Sequence, residues 1–138
     1  MFIGRMENGA LANLEATRFA SGRKNHFEIE INGSKGSLYF DFEDMNRLKF
    51  FNGDDPKDRQ GFRDILVTER GVQPYIANWW PPGHIIGYEH TFIHTIADFV
   101  NACAEGKLVQ PTFEDGLKNQ RVLAAIEESN QKGKWVKL

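Results

Sequence analysis

With 138 residues, the chain is long enough for one domain with a real core, and its 41% hydrophobic content excludes a disordered polymer. A formal charge of −2 gives no electrostatic basis for binding nucleic acid, and no apolar run is long enough to span a bilayer. The opening Met1-Phe2-Ile3-Gly4-Arg5 does not resemble a signal peptide, and the single cysteine, Cys103, has no internal disulfide partner, so a reducing cytoplasm is the expected location.

Asn8-Gly9 supplies the two positive-φ residues of a tight turn, which predicts a hairpin between residues 2–6 and 10–20. Residues 21–25 are polar with a glycine and read as a turn. Residues 26–32 alternate: Phe27, Ile29 and Ile31 are expected to point inward, Glu28 and Glu30 outward. Gly33-Ser34-Lys35-Gly36 turns the chain into residues 37–42, where Leu38, Phe40 and Phe42 share a face. Further strands are expected over 47–51 and 62–69, separated by a charged loop at 52–61 that holds Pro56.

Tyr88, Phe92, Ile96, Phe99 and Cys103 recur at helical spacing, which predicts a helix from about 88 to 105, ended by Gly106. That stripe is expected to face the sheet, with Cys103 a small buried hydrophobe. Thr112 with Asp115 three residues on forms a capping box for a second helix, which Gly133 stops. Trp135 to Leu138 is expected to be a final edge strand. The result is an α+β domain over residues 1–138: about six mostly antiparallel strands in an open-faced sheet, with helices packed on one face.

The stretch Trp79-Trp80-Pro81-Pro82-Gly83-His84-Ile85-Ile86-Gly87-Tyr88 joins the strand half to the helical half. Prolines stiffen it and glycines free its ends. Two indoles, an imidazole and a phenol are the ingredients of a small-molecule pocket. The competing reading is that the tryptophans plug the gap between sheet and helices while His84 is a solvated loop residue. His90, His94 and Asp98 recur every four residues and could ligate a metal on one helix face. Thr91 stands where a zinc-protease pattern needs Glu, and that face lies opposite the apolar stripe, so it is read as solvated and no metal ligand is assigned. The adjacent acids at 43–44, 54–55, 114–115 and 127–128 each have a place in a turn or on a helix. No Gly-x-Gly-x-x-Gly turn, Walker A motif or Gly-x-Ser-x-Gly elbow is present.

Several pieces taken in order carry a resemblance. They are Asn8-Gly9-Ala10, Leu14-Glu15-Ala16-Thr17-Arg18, Gly33-Ser34-Lys35-Gly36-Ser37-Leu38 and Gly83-His84-Ile85-Ile86-Gly87-Tyr88-Glu89. Pro111-Thr112-Phe113-Glu114-Asp115-Gly116, Ala125-Ile126, Ser129 and Gly133-Lys134-Trp135-Val136 follow. The set resembles the C-terminal domain of the glucose-fructose oxidoreductase/inositol dehydrogenase (Gfo/Idh/MocA) family, over nearly the whole chain. Such proteins are two-domain NAD(P)-dependent oxidoreductases acting on sugars and polyols. The resemblance covers the latter part of the second domain only. The Rossmann domain, its Glu-Lys-Pro lysine and the Asp-x-x-x-His pair have no counterpart here.

The resemblance therefore implies a substrate-recognition and oligomerisation domain, with no catalytic residue and no cofactor bound by this chain alone, NAD or NADP belonging to the parent enzyme. Trp79, Trp80, His84 and Tyr88 are its expected substrate contacts, a carbohydrate-like molecule its ligand, and a second copy its partner through the open sheet face. A free-standing small-ligand-binding module and a structural assembly module are the alternatives.

Overall fold

The computed structural model describes all 138 residues and shows an α+β fold with exclusively antiparallel strand pairing. The chain divides into two compact units, residues 1–20 with 97–138 and residues 21–96. The six strands separate into a two-stranded and a four-stranded sheet rather than one.

In the first unit, β1 (Phe2–Arg5) pairs with β2 (Leu11–Leu14), Phe2 opposite Leu14. Of the two residues expected at positive φ only Gly9 is, at 87°; the Asn8 side chain instead accepts from the Ala10 amide at 3.0 Å, and the Met6 amide donates to Ala10 O at 2.8 Å to close the turn. The second strand ends at Leu14, opposite Phe2, short of the expected residue 20. Helix α2 (Phe113–Lys132) starts on the expected capping box. The Thr112 hydroxyl accepts from the Asp115 amide, and the Asp115 carboxylate accepts from the Thr112 amide at 2.9 Å. Gly133, left-handed at φ 61°, ends it. Val122, Ala125 and Ile126 are its half-buried apolar residues. Residues 135–138 are not a strand. No neighbouring strand accepts them, and Trp135 is instead engaged by the Arg5 guanidinium, 5.6 Å from its ring centroid.

In the second unit the order is β3 (Glu28–Gly33), β4 (Gly36–Asp41), β5 (Arg47–Asn52) and β6 (Arg63–Leu66), each antiparallel to the next. The β3–β4 hairpin turns at Gly33 opposite Gly36, where a Cβ on Gly36 would collide with the Phe51 carbonyl oxygen. Ile76 and Thr68 are the buried residues of the chain, and Ile76 lies in the short 3-10 segment Pro74–Asn78. Phe27, Ile29 and Ile31, expected to point inward, are exposed, because β3 is an edge strand with no layer over it.

Helix α1 (Tyr88–Glu105) has the expected limits, and Gly106 closes it at φ 64°. Its facing is the reverse of the expectation. Tyr88, Phe92, Ile96 and Phe99 are exposed, as is Cys103, while His90 and His94 are half-buried. The histidine side finds close partners: the Tyr75 ring stacks on His94 at 4.5 Å, and the Trp79 ring stands edge-on to His90 at 4.5 Å, while on the apolar stripe the Tyr88 ring meets Phe42.

Candidate substrate-binding site

The loop that leads into α1 is fixed at both ends. At its start, Arg70 Nη2 donates to the Trp79 carbonyl at 2.6 Å. Trp79 Nε1–H donates to His94 Nε2 at 2.7 Å. That bond makes His94 Nε2 an acceptor and leaves its proton on Nδ1. At the far end, Asn46 grips the backbone of Ile86 twice: its Nδ2 donates to Ile86 O at 2.8 Å, and its Oδ1 accepts from Ile86 N at 3.0 Å. The Gly87 amide donates to His90 Nδ1 at 3.0 Å. His90 and His94 thus each spend a ring nitrogen on loop anchoring, which corrects their reading as a solvated face.

Between the anchors the loop is open. Trp80 is 74% exposed, and its ring lies 6.1 Å from the ring of His84, tilted by 34°. Gly83 at φ 92° makes the turn that lets His84 Nδ1–H donate to the Pro81 carbonyl at 2.8 Å. That bond assigns the proton to Nδ1 and leaves Nε2 of an exposed imidazole as a hydrogen-bond acceptor. Tyr88 closes the loop. Its ring meets Phe42 edge-on at 5.8 Å and Phe92 at 5.1 Å, and Phe42 in turn meets Phe40 at 6.5 Å.

A cavity of about 410 Å³ lies beside this aromatic run. Phe42, Leu66, Ile86 and Tyr88 give it apolar walls; Asn25, Glu43, Asp44, Asn46 and Arg47 give it polar ones. Glu43 is held below the usual carboxylate range, first by the Lys24 amide and then by the Arg23 guanidinium, so it presents a firm negative charge. A small-molecule pocket has this volume and this mixture. Of the four sequence-predicted contacts, Tyr88 lines the cavity. Trp80 and His84 pair on the exposed loop outside it, and the Trp79 indole N–H is committed to His94. Phe42, Asn46 and Arg47 also line the cavity, and none of them stands in a recognisable motif. Asn46 between two strand patterns was the available signal, because a lone Asn there often holds backbone.

Residues 2–138 match the family described as "Oxidoreductase family, C-terminal alpha/beta domain". The chain is a C-terminal domain of the Gfo/Idh/MocA oxidoreductase family. Among its relatives is the levoglucosan dehydrogenase of Pseudarthrobacter phenanthrenivorans, 41% identical over 137 residues that cover 99% of this chain and 35% of the relative. A crystal structure of an oxidoreductase domain protein from Kribbella flavida is 57% identical with a TM-score of 0.91, over 97% of this chain and 36% of that one. Levoglucosan dehydrogenase in complex with NADH and levoglucosan superposes with a TM-score of 0.90 over 97% of this chain and 36% of that one. The chain thus spans about a third of the length of the relatives it matches. No helix is long and apolar enough to cross a membrane.

Proposed function

We propose that this chain is the part of a cytoplasmic NAD-dependent sugar oxidoreductase that receives and orients the sugar. The hydride chemistry belongs to the nicotinamide, and the residues here supply binding and orientation. The observation that carries the reading is the 41% identity over 99% of the chain to a levoglucosan dehydrogenase, and solved structures of levoglucosan dehydrogenase hold NADH and a sugar together. The cavity supports it. Phe42 offers a face for the C–H side of a sugar ring, the Tyr88 hydroxyl is proposed to hydrogen-bond a sugar hydroxyl, and Asn46 and Arg47 line the same space with further hydrogen-bonding groups. Trp80 and His84 are proposed to approach the sugar from the loop, His84 Nε2 accepting from a hydroxyl, with Trp79 setting the loop's position. The exposed β3 edge, with Ile29 and Ile31 on it, supports self-association through the open sheet.

The test is a chimera in which this chain replaces the matching third of levoglucosan dehydrogenase. NADH formation from levoglucosan is then followed. Tyr88→Phe and His84→Ala are expected to raise KM by about tenfold, the loss of one hydrogen bond to a bound hydroxyl. Unchanged kinetics for both variants would overturn the assignment of these residues.

A further inference from the structure

A second cluster of side chains lies on the four-stranded sheet and is unused by the reading above. The β3–β4 register sets Glu28 opposite Asp41, and the Phe42 amide carries the ladder one step further by donating to Phe27 O at 2.8 Å. His26 is thereby delivered beside Asp41 and Glu43. One ligand atom from each of the three lies within 4.8 Å of the others. His26 Nδ1 is 3.8 Å from Asp41 Oδ1 and 3.8 Å from Glu43 Oε2. The same Nδ1 is shielded from solvent and has no hydrogen-bond partner. On the other side of the ring, Nε2 is 3.5 Å from Glu28 Oε2, and that carboxylate is itself held by the Tyr39 hydroxyl at 2.9 Å.

We propose that His26 Nδ1, Asp41 and Glu43 form a divalent-cation site, suited by its donors to Zn²⁺. In the proposed site the imidazole proton sits on Nε2, 3.5 Å from Glu28 Oε2, and the Nδ1 lone pair then faces two carboxylates, an arrangement that calls for positive charge between them. One imidazole nitrogen and two carboxylate oxygens make a zinc ligand set that leaves a position for water. Ligand atoms around tetrahedral zinc are about 3.3–3.5 Å apart at the usual bond lengths, so the two 3.8 Å spacings from His26 close with a few tenths of an ångström of movement, and the carboxylate–carboxylate spacing, within 4.8 Å, closes by rotation of the exposed Glu43 side chain. Glu28 and Tyr39 supply the outer shell that commonly orients a ligating histidine. The Arg23 guanidinium, 3.2 Å from Glu43 Oε2 and half exposed, is the group the cation displaces. Glu43 also borders the 410 Å³ cavity, so the ion would sit at its rim.

Zn²⁺ titration calorimetry on the 138-residue chain at neutral pH tests this, with circular dichroism to follow folding. One Zn²⁺ per chain is expected to bind. His26→Gln should weaken binding by about 100-fold, and Glu28→Gln by about 10–100-fold as an outer-shell loss. Arg23→Ala should strengthen it by up to about fivefold, since a competing exposed ion pair is removed. Nitrogen NMR of the imidazole should show Nδ1 responding to Zn²⁺ while Nε2 keeps its proton. No saturable uptake, uptake unaffected by His26→Gln, or an imidazole protonated on both nitrogens with equimolar Zn²⁺ present would overturn the site. If His26→Gln fails to fold, Arg23→Ala decides: tighter binding supports the proposal, and unchanged or weaker binding overturns it.

Discussion

Truncating Ile76 and truncating Phe99 should have opposite weight from what hydrophobic periodicity suggests. Phe99 belongs to the longest apolar stripe in the chain, and as a core residue its loss would cost roughly 3–5 kcal/mol. In the structure it is 61% exposed, while Ile76 is 2% exposed. Full burial of a Phe side chain contributes up to about 3 kcal/mol, so the covered two-fifths of Phe99 amounts to about 1 kcal/mol. Alanine's better helix propensity offsets about 0.5 kcal/mol of that. Ile76→Ala removes three carbons at about 0.8 kcal/mol each, or about 2.4 kcal/mol, and the void left behind brings the cost to about 3–4 kcal/mol. Urea melts monitored by circular dichroism read both. At an m-value of about 2 kcal/mol/M, Ile76→Ala should lower the midpoint by about 1.5–2 M and Phe99→Ala by less than about 0.5 M. Melts at two protein concentrations separate self-association of the exposed stripe from intrinsic stability. Equal costs for the two variants, independent of concentration, would mean that the stripe is core and that the reversed facing of α1 is wrong.

Thr112→Ala should cost about 1 kcal/mol by removing the hydroxyl that accepts from the Asp115 amide at the start of α2, read in the same melts. The Asp115 carboxyl is held below its ordinary value by the Thr112 amide first and the Thr112 hydroxyl second. Its folded pKa is depressed, so its contribution is present above the unfolded value of about 3.9 and is lost as pH falls through the folded one. Melting temperature against pH should therefore fall more steeply in acid for the natural chain than for Asp115→Asn; superimposed acid limbs would refute it. Trp79→Phe should cost about 1–3 kcal/mol, because His94 Nε2 loses its donor in a half-buried place. A cost below about 0.5 kcal/mol would show that the bond does not anchor the loop. Asn46→Ala, which removes two bonds to Ile86, should cost about 2 kcal/mol and speed amide exchange at Ile86; unchanged exchange there would refute the clamp.

The limits of α1, the Asn8-Gly9 hairpin and the Thr112/Asp115 box were legible because each is a local matter of a few residues. The facing of α1 was not. Periodicity marks which side of a helix is apolar, whereas the covered side here is set by Tyr75 and Trp79, which reach His94 and His90 over intervals of 19 and 11 residues. Likewise nothing in Trp135 to Leu138 says whether a strand edge is available, and none was. The cavity depends on Asn46 reaching Ile86 forty residues on, beyond any local pattern. The His26 cluster was partly within reach. Once Gly33 is set opposite Gly36, counting back along both strands brings His26 to Glu43, so the hairpin register contained the juxtaposition without advertising it.

The loop between Trp79 and Gly87 is clamped to other segments at its two ends, while its middle bonds only within itself, His84 to Pro81, and this bears on how such a domain can diversify. Trp80, Pro82, His84 and Ile85 are exposed, so exchanging them costs little stability. The side chains that hold the loop, Arg70, Trp79, Asn46 and His90, lie outside that middle. Four neighbouring positions can therefore vary together while the chain entering α1 stays where it is. A mutational library confined to residues 80, 82, 84 and 85 should yield mostly folded proteins, and any change of ligand preference among them would arise without rebuilding the scaffold.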